Sequence, residues 1–233
     1  MRDDPTGVML FAAGFGTRMA PLTDSRPKPL IEVAGRALLD HALALTDGLP
    51  GLTRVVNSHY LAAQIADHLA GRHVTVIEES PEILDTGGGL QNALPYFGQA
   101  RAVFTLNTDA VWRGPNGLEL LARAWDPVKM DALLLCVPPE QAFGHKGKGD
   151  FLLSGDGRLR RGPGLTYTGL QIVKTAPVAQ WPEKVFSLNK IWSQAAEADR
   201  LYGLSFPGQW CDVGHPGGIK IAEEMLSADD LCR

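Results

Sequence analysis

An α/β fold, with a mainly parallel sheet covered by helices on both faces, is what this sequence calls for. Two observations carry that expectation. Short apolar runs of strand length recur as far as Val137, and segments with helical apolar spacing separate them. The first run also breaks off at a glycine-rich turn, and sheets of this kind bind ligands at the carboxyl ends of their strands.

In chain order, Val8–Ala13 reads as a buried strand that stops at Gly14. Leu38–Leu45 has helical spacing. Thr53–Ser58 is the next strand, followed by a helix over Leu61–Leu69 that places Leu61, Ile65 and Leu69 on one face. Val74–Glu79 is a third strand. Three glycines then read as a turn before a short helix at Gly89–Leu94. Ala102–Asn107 is a strand, Leu118–Trp125 a helix, and Ala132–Val137 a strand halted by Pro138 and Pro139. Beyond these the pattern changes. Gly144–Gly149 is a Gly/Lys-rich loop. Phe151–Leu153 and Leu159–Arg161 flank a hairpin turn, Ser154-Gly155-Asp156-Gly157. Leu165–Val173 reads as a longer strand, and Leu188–Ala198 and Gly218–Leu226 as helices. No linker or repeat interrupts the chain, so a single domain over residues 1–233 is expected.

Composition narrows the function classes. Of 233 residues 45% are hydrophobic and 21% charged, as in ordinary globular proteins, and the net charge is −4. Without a Lys/Arg cluster, neither nucleic acid nor a membrane surface is an expected partner. The cysteines Cys136, Cys211 and Cys232 are odd in number and widely spaced, which argues against a disulfide framework or a zinc knuckle. The polar start lacks a basic leader, and no apolar run reaches the roughly 18 residues of a membrane helix, so a cytoplasmic location is expected.

The chemistry concentrates after the first strand, at Gly14-Phe15-Gly16-Thr17-Arg18. Two glycines let the backbone turn tightly, and the N–H groups of such a turn can cradle a phosphate. Arg18 adds a fork of donors suited to phosphate oxygens. The turn is neither a Walker loop nor the dinucleotide fingerprint, since Met19 stands where a third glycine would be needed. Lys28 follows within Arg26-Pro27-Lys28-Pro29-Leu30. The flanking prolines hold its backbone extended, which points to a fixed lysine reaching the same phosphates.

Ala12-Ala13-Gly14-x-Gly16-Thr17-Arg18-Met19-x-Pro21-Leu22-Thr23, then Pro27-Lys28-Pro29-Leu30, then Val33-x-Gly35-Arg36-x-Leu38-Leu39-Asp40 resembles the opening signature of the sugar-1-phosphate nucleotidyltransferases. The resemblance runs over nearly the whole chain. It implies a Rossmann-like three-layer α/β/α fold with a mainly parallel mixed sheet and a small β-hairpin sugar-binding insertion. It also implies a nucleotide-binding half to about residue 137 and a sugar-phosphate-binding half from about 138. Ala12, Ala13, Gly14, Gly16, Thr17, Arg18 and Lys28 would bind the nucleotide, with Arg18 and Lys28 catalytic. Asn57 would lie near the base, Thr86, Gly87 and Gly88 would contact base and ribose, and Asn107 would complete the nucleotide site. Asp109 and Asp212 would hold Mg²⁺. Gly149, Asp150, Thr168 and Asp212 would bind the sugar phosphate. The expected partners are an NTP and a sugar 1-phosphate.

The stretch Gly144–Phe151 is similar to that of members acting on N-acetylmuramic acid 1-phosphate, which makes UTP and that sugar the expected pair. Guanylyl transfer to mannose 1-phosphate and thymidylyl transfer to glucose 1-phosphate are alternatives within the family. A non-catalytic regulatory subunit is the alternative outside it. Phe15 departs from the family pattern and would narrow the turn or stack on a neighbour.

Overall fold

The computed structural model describes residues 4–228. Cys232 lies outside them. The elements in chain order are β1 (Gly7–Phe11), β2 (Glu32–Val33), β3 (Arg36–Ala37), α1 (Leu38–Thr46), β4 (Thr53–Ser58), α2 (Ala62–Leu69), β5 (Thr75–Glu78), α3 (Asp85–Ala93), β6 (Ala102–Asn107), β7 (Ala110–Arg113) and α4 (Gly117–Ala124). They continue with β8 (Ala132–Val137), β9 (Ala142–Phe143), β10 (Phe151–Leu153), β11 (Leu159–Arg161), β12 (Thr166–Lys174), α5 (Thr175–Ala179), α6 (Leu188–Glu197), β13 (Leu201–Ser205), β14 (Gln209–Asp212) and α7 (Pro216–Ser227).

Seven strands form the main sheet in the order β13-β8-β12-β6-β1-β4-β5. All run parallel except β12, which is antiparallel to both of its neighbours. Strand order reverses beside β1. The chain places β4 and β5 on one side of it and β6 on the other, so a crevice opens between the carboxyl ends of β1 and β6.

The strands alternate their side chains between two cores, as a pleated sheet covered on both faces must. Val8, Leu10, Phe104, Leu106, Leu133 and Leu135 pack with apolar positions of α1, α2 and α4. Met9, Val103 and Leu134 point the other way, against α3 and α6. A third apolar cluster lies between α7 and the small sheet β7-β14-β9, with Val111, Cys211, Ala222 and Met225 at its centre. Cys136 and Cys211 are buried and unpaired, and burial pushes the Cys211 thiol up to about 12, so both serve as small core residues. No helix among the described residues is long and apolar enough to cross a membrane.

Several expectations are corrected. The helix placed at Gly89–Leu94 begins at Asp85 instead, so Gly87 and Gly88 are helical and not a turn. Strands β7, β13 and β14 were not foreseen, nor was α5. Strands β12 and β13, from beyond residue 138, are integral to the main sheet. The β10–β11 hairpin and its turn stand where the sequence placed them.

Candidate active site

The crevice between β1 and β6 holds two adjoining clefts. The first, about 440 Å³, is lined by Ala12, Ala13, Gly14, Lys28, Asn57, Thr86, Asn107 and Asp109 among others. The second, about 380 Å³, shares Phe11, Asp85, Thr86 and Asn107 with the first and continues to Asp150, Arg161 and Trp192. A larger concavity of about 1230 Å³ lies at the opposite end of the strands, where Asp4 and Pro5 lead into β1 and Leu52 into β4, around Leu49, Pro50 and Trp125. It is far from the strand carboxyl ends, and the glycine turn, Lys28 and Asp109 do not line it.

The glycine turn owes its shape to Gly16. Its φ of 65° is left-handed, and a Cβ there would lie 2.8 Å from Lys28 Cβ and 3.0 Å from Thr23 Cγ2. Glycine at this point therefore lets the turn rest on the stem of Lys28. Gly14 faces open space in the cleft. The N–H groups of Gly14, Phe15 and Gly16 have no acceptor among the described residues, so they are free to receive an anion. Thr17 and Arg18 are exposed at the rim. Phe15 does not narrow the cleft. Its ring packs edge-on to His59 at 5.4 Å and tilts over Tyr60 at 6.0 Å, outside the pocket wall.

Lys28 Nζ donates to Asp109 Oδ2 at 2.8 Å, and its side chain is only 12% exposed. Asp109 leaves the end of β6, and its carbonyl accepts the Val213 N–H at 2.9 Å. The β7–β14 ladder then sets Asp212 opposite Ala110, so two carboxylates about one hundred residues apart in sequence meet beside Lys28. Burial, then the charge of Asp109, raises the pKa of Asp212, while Lys28, Arg18 and His145 act to lower it.

Such a pair fits a divalent cation. Two carboxylates crowded together favour a bound positive charge, and Mg²⁺ commonly takes one or two carboxylates and completes its shell with water and substrate phosphates. Among the described residues no group of three or more acidic, His or Cys side chains forms a closed protein cage.

Other sequence-selected residues have scaffold duties. Asn57, 3% exposed, accepts the Ala12 N–H on Oδ1 at 2.7 Å and donates Nδ2 to Glu79 Oε1 at 2.7 Å. Its amide is therefore committed to the scaffold, and so is Ala12's N–H. Thr86 Oγ1 donates to Asp85 and accepts the Leu188 N–H at 3.0 Å, pinning the start of α6. Gly87 and Gly88 turn away from the cleft. Their N–H groups donate to the Phe186 carbonyl at 2.8 and 3.0 Å, and any Cβ on them would collide with the 184–186 segment. Thr168 is buried in the sheet and donates to the Leu135 carbonyl at 2.7 Å, so its hydroxyl does not reach the second cleft. Gly149, at φ 86°, is pressed against Gly164 and shapes the base of the hairpin.

Asp150 does line the second cleft, with Oδ2 fixed by the Tyr167 N–H at 2.9 Å. Asn107 stands where the two clefts join, and its amide has no protein partner among the described residues. Gly169, left-handed at φ 84°, makes room for it: a Cβ there would lie 2.7 Å from Asn107 Cβ. Arg161, Asn189 and Trp192 were missed by sequence reasoning, and Asp85 was read only as the first residue of the glycine-rich segment, with no role of its own. Asp85 carried a usable signal, as the acidic residue opening the glycine run.

Comparisons with known proteins identify the family and the fold. Residues 8–199 match the MobA-like NTP transferase domain. An N-acetylmuramate alpha-1-phosphate uridylyltransferase of Caulobacter vibrioides is 37% identical, aligned over 97% of this chain and 99% of that protein. One from Neisseria meningitidis is 31% identical over 94% and 98%. Among solved structures, HddC from Yersinia pseudotuberculosis, complexed with GMP-PN, superposes with a TM-score of 0.75 at 20% identity, covering 95% of this chain and 99% of that one, which supports the fold. The chain belongs to the MobA-like NTP transferase family, as a sugar-1-phosphate nucleotidyltransferase.

Proposed function

We propose that the protein transfers a uridylyl group from UTP to N-acetylmuramic acid 1-phosphate, giving the UDP-sugar and pyrophosphate. One observation carries this reading. Gly14 of the glycine turn and the Lys28–Asp109 pair line one cleft, which shares Asn107 with a second, sugar-sized cleft. The choice of UTP and of this acceptor rests on the two uridylyltransferases aligned along their full lengths.

In the reaction a phosphate oxygen of the acceptor attacks the α-phosphorus of UTP, and the bond to the leaving pyrophosphate breaks. The nucleophile is already an anion, so positioning and charge stabilisation do the work and no general base is required. The free N–H groups of Gly14, Phe15 and Gly16 cradle the triphosphate. Arg18 at the rim and Lys28 beneath it offset the charge that grows on the α-phosphate and the departing pyrophosphate. Asp109 and Asp212 would hold Mg²⁺, which when bound would neutralise phosphate charge. Asp150 offers its remaining carboxylate oxygen to sugar hydroxyls. This work belongs in the cytoplasm, where UTP is available.

A pyrophosphate-release screen of four NTPs against a panel of sugar 1-phosphates tests the assignment. The expected pair is UTP with N-acetylmuramic acid 1-phosphate. Turnover confined to GTP with mannose 1-phosphate, or to a thymidine nucleotide with glucose 1-phosphate, would replace it. Lys28→Ala should lower kcat by roughly a hundredfold or more while the protein stays folded, the scale of losing one preorganised charge stabiliser. Chelation by EDTA should abolish turnover, and added Mg²⁺ should restore it.

A further inference from the structure

The hairpin β10–β11 brings one cation into the sugar-side cleft. Of the residues lining it, Arg161 alone carries positive charge. Surface arginines usually roam, but this one is held. Its guanidinium lies 4.4 Å from the ring centroid of Phe151, directly across the strand pair, and 5.4 Å from that of Trp192. Both rings are buried, and Trp192 is locked by its Nε1–H donating to Gln171 Oε1 at 2.8 Å. Nη2 donates to Asn189 Oδ1, and the Asn189 amide in turn donates to Ser187 Oγ at 3.0 Å.

Nη2 keeps a second N–H, so one edge of the guanidinium, that N–H with its neighbour on Nε or Nη1, stays without an acceptor, and no carboxylate pairs with Arg161 among the described residues. The acids on the same wall have duties elsewhere: Asp150 is turned to the Tyr167 N–H and Asp85 to Thr86. A planar, preoriented and unpaired fork of donors is the arrangement that recognises a carboxylate. The reacting phosphate has its own place, because Lys28 and Asp109 line the neighbouring cleft and not this one.

N-Acetylmuramic acid differs from N-acetylglucosamine by a lactyl ether that ends in a carboxylate. We propose that Arg161 binds this carboxylate and so sets the preference for the sugar acid over the neutral sugar. The assignment rests on the acceptor proposed above.

The test measures kcat and KM with UTP for both acceptors in the wild type, Arg161→Met and Arg161→Lys. Methionine retains apolar packing over the two rings while removing the charge. For Arg161→Met, KM for N-acetylmuramic acid 1-phosphate should rise about ten- to a hundredfold, the scale of a charge-assisted pair, and the preference over N-acetylglucosamine 1-phosphate should collapse by the same factor. KM for UTP should not move. Arg161→Lys should fall between, since it keeps charge but not the planar fork. Equal losses on both acceptors would overturn the proposal, because Arg161 would then serve a group the two share. A wild type that uses N-acetylglucosamine 1-phosphate at least as well would also overturn it, with uridylyl transfer left standing. If no NTP reacts with either acceptor, the reaction assignment itself fails and the acceptor reading falls with it.

Discussion

Asn57 shows how much of this site depends on a single amide. It joins the exit of β1 to that of β4 through Ala12, and both to the approach of α3 through Glu79, whose other oxygen accepts the Leu84 N–H at 2.8 Å. Glu79 is 1% exposed, so removing Asn57 leaves one oxygen of a buried carboxylate without its donor. Asn57→Ala should therefore lower unfolding stability by about 1–3 kcal/mol, read by denaturant melts, and depress kcat/KM for UTP because the turn loses its anchor. Asn57→Asp should be worse, with a second carboxylate facing Glu79. The sequence marked Asn57 but assigned it to the base, since its partners lie 45 and 22 residues away and nothing local reveals them. Lys28 was legible because its restraint is local: two adjacent prolines fix the backbone whatever the rest of the chain does.

At the scale of elements, α3 is the instructive case. Three glycines are poor helix formers, so the sequence reads as a turn. The structure spends them on contact. Without side chains, the first turn of α3 closes on residues 184–186, and the Phe186 carbonyl takes two of the N–H groups that a helix start leaves unpaired. Gly88→Ala would push a methyl into the Lys184 carbonyl, so a loss of about 1–3 kcal/mol is expected in thermal or denaturant unfolding. The displaced start of α3 carries Asp85 and Thr86, which face both clefts, so KM for both substrates should rise. The hairpin turn at 154–157 was readable because turn chemistry is local. The strands β7 and β14 were not. They are only four residues each, and only their mutual pairing brings Asp212 to Asp109.

For the molecule as a whole, the parallel sheet was legible from strand–helix alternation, whereas the edge strand β13 and the reversed course of β12 depend on long-range pairing. That arrangement is clamped at the edge away from the site. Asp131, just before β8, accepts from Lys174 at the end of β12 and from Arg200 just before β13, at 2.9 and 2.8 Å. Burial alone would raise the Asp131 pKa, but the two cations outweigh it and hold it below its ordinary 3.8. Its stabilising contribution is therefore present above pH 3.8 and is lost as pH falls through the lowered folded-state value. Asp131→Asn should cost on the order of 1 kcal/mol near neutral pH and flatten the acid limb of the stability curve, measured by urea melts at a series of pH values.

The base of the hairpin gathers both ends of the segment that carries Asp150 and Arg161. The Gly164 N–H donates to the Lys148 carbonyl at 3.0 Å, and Gly149 packs on Gly164, so the excursion between them leaves and rejoins the scaffold at one point. Residues 149–164 thus form one excursion, held in addition by Phe151 and Leu159 in the core and by the Gly203 N–H donating to the Gly157 carbonyl at 2.9 Å. If Asp150 and Arg161 meet the acceptor as proposed, grafting a relative's segment between these anchor points, with Phe151 and Leu159 kept, should change KM for the acceptor and leave KM for UTP unmoved, since the glycine turn, Lys28 and Asp109 lie outside it.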